Sequence, residues 1–204
     1  MFIRAHDEVT DENQWRSFVR DQGFGHLAVN GVDDFPVVVP TQFVLRDDDV
    51  VLHLARPNPV FTALAGARCA TLSVAGDWAY IPGSWRVSGD ADPTLGIPTT
   101  YYAAVQISGA VEILDDIDEI AALLRIQLAD LEPDGGLQDP LSHQQRFPAI
   151  RGIRLHIDDV RAKFKFGDNA DVEHRANVKR NLVARNQPGD TPAAGRMTIG
   201  PIAD

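Results

Sequence analysis

The chain reads as a mainly β fold with peripheral helices, an antiparallel sheet or barrel. Three observations predict this. Short segments rich in Val, Ile, Leu and Phe alternate inward and outward positions, as in GHLAVN (25–30), DVVLHLA (49–55) and IRGIRLHI (150–157). Turn signals such as Asn30-Gly31 and Asp47–Asp49 end several of them. Most successive strands also lack a helical crossover between them, which favours antiparallel pairing.

The elements follow in order. Trp15, Phe18 and Val19 share one face of a helix over 11–22, which Thr10 caps and Gly23 ends. Strand 25–30 leads to the β-rich 35–45, where Pro36 and Pro40 require an edge or a bulge. After strand 49–55, Asn58 caps a short helix with Pro59 at its first position, ending at Gly66. Strands are expected at 67–76 and 78–81, then a long Gly/Pro loop at 82–98. Residues 99–114 form one long strand or two joined at Gly109. The clearest helix spans 115–132, with acids in its first turn and an apolar face of Ile117, Ile120, Leu123, Leu124 and Leu128. A polar loop, strands at 150–157 and 161–166 and a helix at 174–185 complete the body. From Asn186 the Pro/Gly/Ala-rich chain reads as a flexible C-terminal tail, leaving residues 1–185 as one domain.

Composition excludes several classes. The chain has 204 residues, one cysteine and a formal net charge of −10. A single cysteine forms neither an internal disulfide nor a zinc cluster, and Cys69 within Ala67–Val74 reads as a buried thiol. No apolar stretch approaches the ~20 residues of a membrane helix. The acidic N-terminus does not resemble a signal peptide, so the expected compartment is the cytoplasm.

The charge argues against a nucleic-acid binder, yet it is uneven. Residues 151–186 carry nine basic and five acidic side chains, and they include all three lysines, Lys163, Lys165 and Lys179. This stretch is either an anion-binding element or a solvated helix end complementing an acidic body.

No P-loop, His-Glu-x-x-His or G-x-S-x-G motif is present, and the six histidines are scattered. His26, His53 and His156 alternate with apolar residues and read as structural. One constellation stands out: a strand ending in His53-Leu54-Ala55-Arg56, followed by Asn58-Pro59 and a helix. Amides at a helix N-terminus and a guanidinium fork together make a phosphate cradle, unless Arg56 is a surface arginine beside a capped helix. Tyr80, Trp85, Tyr101, Tyr102, Phe164 and Phe166 lie at loop edges, where flat rings either accompany a planar ligand or close a core.

HLARPNPVFTAL (53–64) resembles the strand-to-helix motif of the PaiB-type FMN-binding family, roughly H-x-A-R-x-N-P, an aromatic and A-L. Tyr80–Arg86 resembles its Y-V-S-P-S-W-Y, Ile97–Val105 its V-P-T-W-N-Y-x-x-V, and Lys163–Asn169 its K-x-K-x-S-Q-N. The opening Phe2–His6 also resembles the family's start, and the motifs keep their order from residue 2 to about 185.

The resemblance implies a split β-barrel, usually a homodimer with FMN at the subunit interface. Carried over, Arg56 and the amides after Asn58 and Pro59 would hold the flavin phosphate. Ser84 and Trp85 would border the flavin with Tyr102 near, and Lys163 and Asn169 would reach the site from the C-terminal segment. Gln106, before the strand glycine, matches a glutamine of other split-barrel flavoproteins. The chain departs from the pattern at Arg86, at Thr100-Tyr101 and at Gly167-Asp168. An acid at 168 is unfavourable beside a phosphate unless it pairs with Lys163, Lys165 or Arg86.

The implied functions are a PaiB-type negative transcriptional regulator that senses flavin or redox state, an FMN-dependent flavin or small-molecule reductase linked to NAD(P)H, or a flavin-binding protein without turnover. DNA is an expected partner only of the first, and the net charge does not favour it.

Overall fold

A computed structural model describes residues 1–87 and 92–197. In chain order the elements are α1 (Glu12–Gln22), β1 (Phe24–Val29), β2 (Val37–Gln42), β3 (Val44–Leu45), β4 (Asp49–Ala55), α2 (Val60–Ala67), β5 (Cys69–Ile81), β6 (Thr99–Leu114), α3 (Ile117–Leu131), β7 (Ile150–His156), β8 (Asp159–Lys165), α4 (Val172–Arg185) and α5 (Asp190–Arg196), with short 3₁₀ turns between some of them. They group into two compact units. The sheet unit comprises residues 12–74 and 105–161; the cavity unit comprises 1–11, 75–104 and the described part of 162–204.

The strand order is β2-β1-β5-β6-β7-β4-β3, and β8, off this path, pairs with β6. The registers are antiparallel, from Phe24 opposite Gln42 on β1–β2 to Asp49 opposite His156 on β4–β7. Pro40 lies on β2 at one end of this order, where its missing N–H interrupts no second ladder. The apolar faces meet in a core that includes Val44, Val51, Leu114 and Leu123.

The helices obey the sequence periodicity closely. α1 buries Trp15, Phe18 and Val19, and Gly23 ends it at φ +57° with its N–H donating to the Val19 carbonyl at 3.1 Å. Asp116 caps α3, its Oδ1 accepting from the Asp118 N–H at 2.8 Å. Ile117 departs from the expected apolar face: it is exposed, and Gln127 is buried instead. That amide meets His53, with Nδ1 and Oε1 2.6 Å apart, so a polar side chain on the core face has its partner.

Three local expectations change. β6 is a single strand, because Gly109 continues it: a Cβ there would sit 2.0 Å from the His156 carbonyl oxygen, so only glycine permits the close approach. α2 runs through Gly66 to Ala67, and Arg68 takes the left-handed turn at φ 52°, its N–H donating to the Leu64 carbonyl. Cys69 follows that turn and is exposed, not buried, because it opens β5 on an outward position.

The segments read as two strands at 67–76 and 78–81 form one strand, β5. Asp77 adopts φ 51° within it and accepts from Arg196 Nε at 2.7 Å. The segment read as a flexible tail differs most. Residues 190–196 form α5, with Ala193, Ala194 and Met197 buried. Asp190 is 1% exposed and receives Arg185 Nε at 2.8 Å and Nη2 at 2.6 Å. Tertiary pairing therefore orders a composition that lacks its own periodicity. The remainder of the expected tail, 198–204, lies outside the described residues.

No helix among the described residues is long and apolar enough to cross a membrane.

Candidate functional site

The cavity unit contains a cavity of about 660 Å³. Its lining brings together Arg4, His6, Arg86, Lys163 and Lys165, with Asp7 as the one carboxylate among the described residues, beside the neutral Thr99, Tyr101, Gly167 and Asn169. The local fold explains the convergence. β8 carries Lys163 and Lys165 on one face, two residues apart. The N-terminal segment lies along it through a bridge between Glu8 and Lys163, and the Val9 N–H donates to the Ala162 carbonyl at 3.2 Å. Arg4 and His6 are brought to β8 in this way. Arg86 comes from a 3₁₀ turn, Gly83–Arg86, held at the Gly96 backbone.

The two lysines are not equivalent. Lys163 is buried and already partnered: Nζ donates to the Phe2 carbonyl at 3.1 Å, stands 3.7 Å from Asp7 Oδ2 and lies 5.4 Å from the centre of the Tyr102 ring. It ties the N-terminal segment down. Lys165 Nζ donates to Thr99 Oγ1 at 2.7 Å. Burial holds the Lys165 ammonium below its ordinary range, and the nearby positive charges of Lys163, Arg86 and Arg4 add to this against the opposing pull of Asp7. An arriving anion would relieve that repulsion.

Two buried polar atoms at this site have no hydrogen-bond partner among the described residues. They are Arg86 Nε, with Nη1 donating to the Ile97 carbonyl at 2.7 Å, and the Tyr101 hydroxyl on a residue only 2% exposed. Burial raises the Tyr101 phenol above its ordinary value, so it is a neutral donor at neutral pH. Asp168 is raised too, again by burial, with Arg175 as the first opposing charge. The first cation that acts on Asp168 is Arg175, not one of the three, Lys163, Lys165 and Arg86, whose pairing would make an acid there tolerable beside a phosphate.

The residues singled out in the sequence fall as follows. Lys163 and Asn169 line the cavity, and Tyr102 approaches Lys163. Ser84 is exposed on the Gly83–Arg86 turn; Trp85 beside it is half-buried under the Arg185 guanidinium, 4.8 Å from its ring centre. Arg56, Asn58, Pro59 and Gln106 belong to the sheet unit. Arg56 is engaged there: Nη1 donates to Asp115 at 3.0 Å, Nε to the Pro148 carbonyl at 2.7 Å and Nη2 to the Ile150 carbonyl at 3.1 Å. The first amides of α2 are engaged as well. Val60 N–H donates to Asn58 Oδ1, Phe61 N–H to the Asn58 carbonyl and Thr62 N–H to the Pro59 carbonyl. The junction in this conformation is a capped helix tied down by an arginine.

Sequence reasoning did not select Arg4, His6, Arg86, Tyr101, Lys165 or Gly167 as site residues. The signal for three of them was present: Arg86, Tyr101 and Gly167 are departures from the family pattern, and Tyr101 and Gly167 touch. A Cβ at Gly167 would lie 2.2 Å from the Tyr101 hydroxyl oxygen.

Residues 1–159 match a protein-family model described as "Putative FMN-binding domain". Among solved structures, the chain is similar to an FAD and heme binding protein from Mycobacterium smegmatis, with 18% identity over 89% of this chain and 80% of that one and a TM-score of 0.60. It is similar to the flavocytochrome Anf3 from Azotobacter vinelandii at 19% identity, covering 82% and 74%, with a TM-score of 0.57. A conserved hypothetical protein from Mycobacterium tuberculosis shares 16% identity over 80% and 90%, with a TM-score of 0.58. These likenesses show a shared fold, and the expected split-barrel class stands. No curated protein matches the chain in sequence.

Proposed function

Because the chain belongs to the FMN-binding domain family, we propose that it is a flavin-binding protein whose cationic cavity receives the anionic part of FMN. The observation that carries this reading is the charge of the cavity: Arg4, Arg86, Lys163 and Lys165, with the His6 imidazole, face Asp7 around 660 Å³. Cofactor sites commonly fall in the range of roughly 300–1,000 Å³. Buried donors without hydrogen-bond partners among the described residues, on Arg86 and Tyr101, fit a ligand rich in acceptor oxygens.

In this reading Lys165 and Arg86 hold the anion, Lys163 fixes the wall by binding Asp7 and the Phe2 carbonyl, and Asn169 contributes an amide at the rim. Ser84, Trp85 and Tyr102 remain proposed neighbours of the flavin on the strength of the motif order, and Gln106, in the sheet unit, rests on the resemblance alone. When bound, the flavin supplies hydride and electron transfer, and the protein supplies placement and electrostatics. Arg56, Asn58 and Pro59 are the alternative phosphate site, for which Arg56 would have to exchange Asp115 or a carbonyl for the ligand.

The test compares FMN with riboflavin, which lacks the phosphate, by flavin fluorescence quenching. The wild-type chain is expected to bind FMN more tightly. Lys165→Ala is expected to lose most of that preference, by about tenfold or more in FMN affinity, since hydrogen bonds to charged groups are worth about 1.5–3 kcal/mol. Loss of the preference in Arg56→Ala, with Lys165→Ala unaffected, would place the phosphate at the α2 junction instead. A chain that binds neither flavin defeats the reading.

Of the two finer roles, we propose the FMN-dependent reductase over the PaiB-type regulator. The basic segment supports this choice. Lys163 pairs with Asp7, Arg185 with Asp190, and Lys179 donates to the Met197 carbonyl, so these charges serve the protein's own structure. NAD(P)H oxidation by the FMN-loaded chain tests the choice, and a salt-dependent shift of promoter DNA would reverse it. The homodimer is likewise a proposal resting on the resemblance; sedimentation at about twice the 22.3 kDa chain mass checks it.

A further inference from the structure

The Tyr101 hydroxyl needs an explanation that packing does not give. Tyr101 is 2% exposed, its ring stands edge-on to Phe166 with centroids 6.1 Å apart, and its oxygen has no hydrogen-bond partner among the described residues. A phenylalanine would fill the same space without burying an unsatisfied polar atom, which is costly. The backbone nevertheless makes room for the oxygen. Gly167 sits at φ +82°, and the place where its Cβ would stand is 2.2 Å from the hydroxyl. Tyr101 and Gly167 both line the cationic cavity, together with Arg86 and Lys165.

We propose that the Tyr101 hydroxyl is the specificity-determining donor of this cavity, selecting ligands that bring a phosphate monoester in beside Arg86 and Lys165. The inference rests on the reading of the cavity as an anion site, and it names the ligand group that the site selects. The reasoning is chemical. Arg86 and Lys165 attract any anion, but a neutral phenol discriminates by hydrogen bonding. A phosphate monoester offers three terminal oxygens in a tetrahedral arrangement, one each for Lys165, the Arg86 Nε–H and the Tyr101 O–H, whereas a carboxylate must share two coplanar oxygens among the three donors. Thr99 Oγ1, which now accepts from Lys165, is a neutral partner that an anion readily displaces.

Calorimetric titration of the full chain with inorganic phosphate, FMN and riboflavin tests this, comparing wild type with Tyr101→Phe. That substitution keeps the ring and its contact with Phe166. Expected is a loss of about tenfold in affinity for phosphate and for FMN, with riboflavin unchanged. Without ligand, the melting temperature of Tyr101→Phe is expected to equal or exceed that of wild type, since an orphaned hydroxyl has been removed. A purely structural tyrosine would lower it, and that result overturns the proposal. So does phosphate or FMN binding that is the same in both proteins, or a wild-type chain that binds no phosphate. If phosphate binds with the expected dependence on Tyr101 but FMN does not bind, the flavin reading fails and the Tyr101 inference stands.

Discussion

Asp190→Ala is expected to destabilise the chain by about 2–4 kcal/mol, because it leaves a partly buried guanidinium without its carboxylate. Asp190 accepts twice from Arg185 and once from the Gln187 N–H, at 2.8 Å. Arg185 in turn donates to the Tyr80 carbonyl at 2.9 Å and covers the Trp85 ring. One carboxylate thus holds the end of α4, the start of α5, the end of β5 and the turn that carries Ser84 and Arg86. The measurement is urea unfolding at neutral pH, repeated in acid. The hydrogen bonds from Arg185 hold the Asp190 carboxyl below the usual carboxylate range. A depressed folded-state pKa contributes stability that is present above the unfolded value of about 3.9 and is lost as pH falls through the folded value. The difference between wild type and Asp190→Ala is therefore expected to be full at pH 7 and to shrink below about pH 4. Equal unfolding midpoints at pH 7 would contradict the ion pair's role.

Gly167→Ser is expected to be the other costly change, at about 2–5 kcal/mol. Left-handed backbone costs a non-glycine residue roughly 1–2 kcal/mol, and the new Cβ would drive the Tyr101 ring out of its packed position at a further cost of about 1–3 kcal/mol. The companion experiment is Tyr101→Asn. Alone it opens a hole beside Phe166; combined with Gly167→Ser it removes the collision. The double variant is expected to recover at least about 1 kcal/mol relative to the sum of the singles. Additive losses in thermal or urea unfolding would show that the two positions do not act on each other.

That pair also shows how far the sequence carries. The resemblance exposed unusual residues at 101 and 167, 66 positions apart in number, but not that the tyrosine hydroxyl lies against the glycine backbone. Lys163 and Asn169 were legible because β8 and its following turn keep the family's spacing. Arg4 and His6 were not, because the N-terminal segment reaches the cavity through a bridge to a strand more than 150 residues later. Strands β1, β4, β7 and α3 were legible because local alternation or helical period coincides with the buried face. The Gly76-Asp77 pair looked like a break in β5, yet Asp77 accepts from Arg196 and the strand continues in spite of its φ of 51°. The same long-range pairing ordered α5, whose Pro/Gly/Ala composition gives no periodic signal. Cys69 was misplaced for a local reason: Arg68 takes the left-handed turn that a glycine was expected to supply.

The cavity unit is assembled from three separate stretches of chain, and its cationic wall draws on all of them: Arg4 and His6 from the first, Arg86 from the second, Lys163 and Lys165 from the last. On the ribosome this has a consequence. The first stretch has no β8 to lie against until more than 150 further residues have been made, so the pocket closes well after its first stretch is synthesised. Such non-local closure is slow and leaves apolar strand edges open meanwhile. A nascent chain stalled near residue 160 would lack β8's lysines and the helices beyond, and it would carry no completed anion site however well the sheet unit had folded.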